Sequence, residues 1–365
     1  MKSLSVIIAP DSFKGSLDAA AAADAVAEGW RRVRPDDQVT AIPQADGGEG
    51  TLDAVSAAQP EAVRHVVAKV TGPDGRAVRG EWLELGDGTA IVEMAQMSGL
   101  PLMAAPDPMG ATSKGLGEVI AAALDHGAAR VIVGLGGSAS TDGGAGALSA
   151  LGLELLDHEG RGLPLGGAAL TRLGSIRGGP RRPDELVLLS DVHAPLLGTT
   201  GAARIFGPQK GASEEQIAQL EAGLGRFAEL LGGANDLPGM GAAGGVGYGL
   251  GVGLGGTIKP GAPYLSALSG FDVQVAAADV VISGEGRFDQ TSLGGKVVGH
   301  ILGLAKTHKA RRAVIVGQVA LDHPDIWAQS LAGLSGSVEA AIAEPRRWLV
   351  EAGATAAWYF GSRAD

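Results

Sequence analysis

Apolar and polar positions follow two rhythms along this chain, and the switches between them outline its elements. Residues 4–9 are a continuous apolar run rich in Val and Ile, the mark of a strand buried on both faces. Ala19, Ala23, Val26, Trp30 and Val33 then recur at helical spacing, which predicts a helix ended by Pro35. Ser16 is its expected N-cap, with Asp18 in the first turn. Residues 39–42 read as a second strand, so the first 45 residues form a β-loop-α-β unit, the start of a parallel sheet.

The period changes after Gln59-Pro60. Residues 63–70, 77–85 and 89–94 read as strands joined by turns at Pro73-Asp74-Gly75 and Gly86-Asp87-Gly88, an antiparallel meander. Helix and strand alternate again: a helix over 117–126, a strand over 131–135, a helix from about 145 and a strand over 186–189. Ser213 opens a helix reaching about residue 231, with Glu214 and Glu215 in its first turn. Residues 239–261 are too glycine-rich for regular structure and are expected to be a functional loop or a domain crossing. Strands over 280–283 and 313–317 then flank a helix over 296–306. The simplest architecture is two α/β domains: residues 1–60 with 275–365 form a discontinuous parallel-sheet domain, and residues 61–274 an inserted mixed α/β domain.

Composition narrows the chemistry. The chain has 365 residues, 45% hydrophobic and 19% charged, which suits a packed globular protein of about two domains. No apolar run approaches the ~20 residues of a membrane span. The apolar opening gives way to Asp11-Ser12-Phe13-Lys14 and reads as a first strand, not a secretion signal. With no cysteine, disulfides, thiolate metal sites and a cysteine nucleophile are excluded; this is compatible with the cytoplasm, the expected location. A net charge of −11 argues against a nucleic-acid partner but leaves room for a small anionic substrate held by a few local cations and helix N-termini. Sixty glycines are the oddest feature; helix ends and turns account for about half of them, by the usual role of glycine there.

No P-loop is present: the Gly295-Lys296 pair is followed by Val297. Gly251-Val252-Gly253-Leu254-Gly255-Gly256 fits GxGxxG but precedes no helix, which disfavours a dinucleotide site and a dehydrogenase. Polar clusters instead follow predicted strands, the edge where open parallel sheets bind ligands. Asp11-Ser12-Phe13-Lys14-Gly15-Ser16 offers a phosphate or carboxylate cradle, or an ordinary capped turn. Asp46-Gly47-Gly48-Glu49-Gly50-Thr51 suits Mg²⁺ or a tight turn. In Gly136-Gly137-Ser138-Ala139-Ser140-Thr141-Asp142-Gly143-Gly144, backbone amides and hydroxyls meet near a helix start, a nest for phosphate oxygens. Asp191 ends a strand some twenty residues before Gln209-Lys210-Gly211. In Gly284-Glu285-Gly286-Arg287-Phe288-Asp289, Arg287 could clamp a carboxylate and Glu285 or Asp289 hold metal; a surface Arg–Asp pair is the plainer alternative. Together these clusters favour phosphoryl transfer in a small-molecule enzyme.

These motifs resemble, in order and over nearly the whole chain, those of the class I glycerate kinases. The likeness includes residues 8–15, 45–51 and 136–144, Phe206-Gly207-Pro208-Gln209-Lys210-Gly211-Ala212, residues 241–247, and 284–291. The chain departs at Ala194, where the family often has Asn, and is only loosely similar after Val319. The resemblance implies two α/β domains, one Rossmann- or flavodoxin-like, with ATP and D-glycerate meeting in a cleft between them and the 2-hydroxyl as acceptor. On that reading the phosphates of Mg-ATP lie against Gly136, Gly137, Ser138, Ser140, Thr141 and Asp142. Arg287, with Ser12 and Asp11, binds glycerate. Lys14 or Lys210 lies near the transferred group, and Asp191 orients or deprotonates the hydroxyl. Asp46, Glu285 and Asp289 are the Mg²⁺ candidates. The rivals are a kinase for a related hydroxy acid and a non-catalytic ligand-binding protein of the same fold; monomer and homodimer both remain open.

Overall fold

The computed structural model describes residues 2–13, 15–294, 296–321 and 323–362. Lys14 therefore lies outside the described residues. In chain order the strands are β1 (Ser5–Pro10), β2 (Gln38–Ala41), β3 (Val63–Thr71), β4 (Ala77–Glu84), β5 (Ala90–Glu93), β6 (Arg130–Gly134) and β7 (Glu154–Asp157). They continue with β8 (Leu173–Arg177), β9 (Glu185–Leu189), β10 (Thr257–Lys259), β11 (Val280–Phe288), β12 (Arg311–Val319) and β13 (Trp327–Ser330). The chain divides into two compact units: residues 1–46, 53–60 and 260–365, and residues 47–52 with 61–259. The return to the first unit comes at 260, ahead of the expected 275, because the helix Gly261–Leu268 belongs there; the close approach of Gly261 to the Asp46 carbonyl packs it on the segment after β2.

In the first unit every neighbouring strand pair is parallel, in the order β13-β12-β11-β1-β2. Counting only this unit's strands, that order is 2-1-3-4-5, the flavodoxin-like doubly wound topology, with its switch point between β1 and β11. The apolar run of β1 serves two cores at once. Val6 and Ile8 pack with Val26, Trp30 and Phe360, while Ile7 and Ala9 pack with Phe271, Val297 and Ile301 on the other face. The first helix, Ala19–Val33, is capped by Asp18, not by the expected Ser16. The Asp18 carboxylate accepts from the Ala21 N–H, whereas the Ser16 hydroxyl donates to the Phe13 carbonyl.

In the second unit the order is β10-β9-β6-β5-β4-β3. β5, β6, β9 and β10 are parallel, and β3-β4-β5 form the antiparallel meander expected from the turn residues. The glycine-rich stretch expected as a loop is instead largely the helix Ala242–Leu254, kinked where Ala243, Gly244 and Gly245 take positive φ. Each interior glycine costs a helix up to about 1 kcal/mol, and close approach explains its use here. A Cβ on Gly244 would stand 2.0 Å from the Ser140 carbonyl oxygen, and one on Gly249 2.2 Å from that of Gly143. The GxGxxG residues form the C-terminal end of this helix, where the partial charge is negative and unsuited to phosphate. Among the described residues no helix is long and apolar enough to cross a membrane.

Candidate active site

Parallel sheets leave unpaired backbone groups and diverging loops at the carboxyl ends of their strands, most open where the strand order reverses. In the first unit that place holds Asp11, Ser12 and Glu285. The Asp11 N–H donates to the Gly284 carbonyl at 2.9 Å, and its carboxylate accepts from the Ser12 N–H. Gln44 donates to the Pro10 carbonyl, which brings the segment leading to Asp46 to the same edge. The cluster expected after a strand at 280–283 lies largely on the strand itself, because β11 continues to Phe288, with Glu285 paired to Val316 and Arg287 to Gln318. Phe288 is fully buried, and that anchor carries the ladder past the glycines. Arg287 is 63% exposed, with its Nε 3.7 Å from Asp289, so the pair is weak and the guanidinium is available to a ligand. The Asp289 carboxylate caps a short turn, and hydrogen bonds from the Thr291 hydroxyl and N–H hold its carboxyl below the usual range. Beside Gly286 a cavity of about 190 Å³ opens, lined by Phe13, Ser16, Gln318, Leu331 and Ile342.

In the second unit the carboxyl ends of β5, β6 and β9 carry three connected loops. The loop after β6 is tied to the end of β9 by the Leu135 N–H donating to the Leu189 carbonyl, and to the 47–52 segment by Gly136 donating to the Gly47 carbonyl. Asp191 follows β9 directly, with one carboxylate oxygen shielded from solvent. Ser190 donates to the Lys259 carbonyl, which places the end of β10 alongside. The phosphate-nest candidates Gly136, Gly137, Ser138, Ser140, Thr141 and Asp142 and the candidate base Asp191 therefore share one sheet edge.

The expected site residues differ in what they face. Asp142 points into the protein: buried, it accepts from the N–H and hydroxyl of Ser113 at 2.8 and 2.9 Å and from the N–H groups of Gly144 and Gly146. Such a carboxylate shapes the loop and repels phosphate from its own position. Lys210 is likewise inside, 2% exposed, its ammonium donating to the Ser140 carbonyl. The hydroxyls of Ser140 and Thr141 are buried with no partner among the described residues. Unsatisfied buried hydroxyls cost ~1–3 kcal/mol each.

Burial lowers the Lys210 ammonium from 10.5 to about 8, with the charge of Asp142 working against the shift. Below pH 8 folded and unfolded chains both carry the proton, and burying it is a constant cost. Between pH 8 and 10.5 the unfolded chain alone keeps it, so stability rises with pH, by about 1.4 kcal/mol per unit at most. Lys210→Met removes this rise. Urea unfolding of the two proteins from pH 7 to 10 should show the wild type gaining on the variant; parallel curves would mean that the ammonium is solvated.

Two participants were invisible beforehand. Glu93, at the end of β5 and 1% exposed, accepts from the N–H groups of Gly50 and Leu52 and so fixes the 47–52 segment. Ser113 ties the helix Lys114–His126 to Asp142. The only signal for Glu93 was a carboxylate closing an otherwise apolar strand; Ser113 gave none.

A model of the glycerate kinase family matches residues 6–359. The chain is 43% identical over 326 residues to the glycerate 2-kinase of Escherichia coli K12, covering 86% of this chain and 84% of that one. It is 40% identical over 352 residues to the glycerate kinase of Bacillus subtilis 168, covering 93% and 91%. The crystal structure of a protein assigned as glycerate kinase 2 from Salmonella typhimurium LT2 superposes with a TM-score of 0.82 at 34% identity, over 100% of both chains. With the family's motifs at the carboxyl ends of both sheets and the match spanning nearly the whole length, this chain belongs to the glycerate kinase family, whose members are phosphotransferases.

Proposed function

We propose that the chain transfers the γ-phosphoryl group of ATP to the 2-hydroxyl of D-glycerate, in the cytoplasm. The observation that carries this reading is the shared sheet edge of the second unit, where a loop braced by Asp142 and Lys210 stands beside Asp191. Phosphoryl transfer asks for little covalent chemistry from a protein; positioning and charge neutralisation do most of the work. Gly136, Gly137, Ser138, Ser140 and Thr141 form the nest for phosphate oxygens; the Gly136 N–H already donates to the Gly47 carbonyl and the Ser138 hydroxyl to the Ala243 carbonyl, which leaves the hydroxyls of Ser140 and Thr141 as the side-chain donors on offer. The buried charges of Asp142 and Lys210 keep that loop in one conformation. Asp191 orients the attacking hydroxyl and takes its proton. Arg287 binds the substrate carboxylate, beside Ser12 and Asp11. The 2-hydroxyl is supported by the name of the Escherichia coli relative.

Mg²⁺ suits the first unit's switch point, where Glu285, on β11 one residue past the Gly284 carbonyl that accepts from Asp11, has one oxygen shielded from solvent. Asp46 and Asp289 complete the candidate set, although the cap bonds at Asp289 leave it fewer free lone pairs. When bound, the ion supplies neutralisation of phosphate charge.

A coupled ADP-release assay with Mg-ATP and D-glycerate tests the activity, with phosphorus NMR of the product. A phosphorus signal split by a single proton marks the 2-phosphate; splitting by two protons marks the 3-phosphate and overturns the regiochemistry. Absence of glycerate-dependent ADP release from folded protein overturns the function. Arg287→Ala should raise the KM for glycerate about 10- to 100-fold with little change in kcat, as expected for a charge-assisted pair worth ~1.5–3 kcal/mol. An unchanged KM removes Arg287 from the site.

A further inference from the structure

Away from the catalytic edge, the meander of the second unit brings three Lewis bases to one point. His65 on β3 and Trp82 on β4 are direct cross-strand partners, and Glu84 lies two residues further on the same face of β4. The helix Lys114–His126 ends beside them. His65 Nε2 is 2.7 Å and His126 Nε2 3.3 Å from the same oxygen, Glu84 Oε2. One ligand atom from each of the three residues lies within 4.8 Å of the others.

We propose that His65, Glu84 and His126 form a divalent transition-metal site, best suited to Zn²⁺. Two imidazole nitrogens and one carboxylate oxygen are the donors that Zn²⁺ takes at ~2.0–2.2 Å with a water in the fourth position. The His126 side chain is 50% exposed, so the fourth position opens to solvent. Imidazole donors select against Mg²⁺, which demands oxygen, so this site is distinct in kind from the one that serves ATP. Two further features suit a cation. The His65 ring is stacked on Trp82 at 4.2 Å between centroids, and the buried Trp82 restricts its rotation. The helix C-terminus at His126, closed by Gly127 in the left-handed region, carries partial negative charge. The bound ion ties the end of this helix to the edge strands of the meander.

The test uses the full chain without a histidine tag, stripped by chelator and free of nucleotide. Titration with Co²⁺ should give the visible bands of a four-coordinate ion, saturating at one equivalent, and Zn²⁺ should displace them with micromolar affinity and raise the thermal midpoint. His126→Ala, at an exposed helix end where misfolding is not expected, should weaken binding at least tenfold and abolish the thermal shift, and Glu84→Gln should do the same. Both variants should retain full Mg²⁺-dependent ADP release, which also reports their folding. Binding no tighter than millimolar, or binding equal in the wild type and His126→Ala, overturns the proposal and leaves the three residues a hydrogen-bonded cluster.

Discussion

Asp191→Asn is expected to lower turnover by about two to four orders of magnitude, the range for loss of a general base, while the chain stays folded. The amide preserves the shape of the carboxylate but cannot take the proton of the attacking hydroxyl. The position favours a reactive role over a structural one. Asp191 follows the end of β9, next to the loop after β6, and is only partly buried. Steady-state kinetics with glycerate, with circular dichroism as a folding check, decides the matter. Turnover within threefold of the wild type would take the base role away from Asp191. A fall in kcat with unchanged glycerate KM would place the loss in the transition state.

The second large effect concerns stability. Asp142→Ala should destabilise the chain by about 3–5 kcal/mol, the usual cost of breaking a buried charged network. The substitution leaves the Ser113 hydroxyl and the N–H groups of Ser113, Gly144 and Gly146 without their shared acceptor. It also removes the charge that offsets the burial of Lys210, so the ammonium falls further below about 8. Urea unfolding measures the first effect. A loss under 1 kcal/mol would show that water reaches the network. Asp142→Asn should cost less, since an amide oxygen in place of Oδ2 still faces the Ser113 N–H, the Ser113 hydroxyl and the Gly146 N–H.

The sheets were readable because their signal is local. The apolar runs of β1 and β9 and the turn residues of the meander act within a few positions. The helix Ala242–Leu254 was not, because its glycines are unfavourable locally, and Gly244, Gly245 and Gly249 are explained by the 140–143 backbone that they approach from a hundred residues away. Arg287 was expected in a loop, yet pairing with β12 carries it along β11. At the candidate site, the positions of the motifs at Asp11, Gly136 and Asp191 beyond strand ends were legible. The inward or outward direction of the side chains was not. Lys210 and Asp142 carry charges that predict exposure, and only a partner elsewhere in the chain makes their burial tolerable. Glu93 was silent for the same reason, since its partners lie more than forty residues away.

The brief excursion of residues 47–52 into the second unit limits how this protein can be taken apart. A fragment of residues 61–259 would look like a self-contained insertion and would keep every strand of its sheet. It would lose the Gly47 carbonyl that accepts from the Gly136 N–H, and the N–H groups of Gly50 and Leu52 that donate to the buried Glu93 carboxylate. A carboxylate stranded in an apolar interior takes up a proton or draws in water, so the loop after β6 would lose its support in the very piece that contains it. Any transplant, split-protein design or circular permutation of this fold must carry those six residues with the insertion.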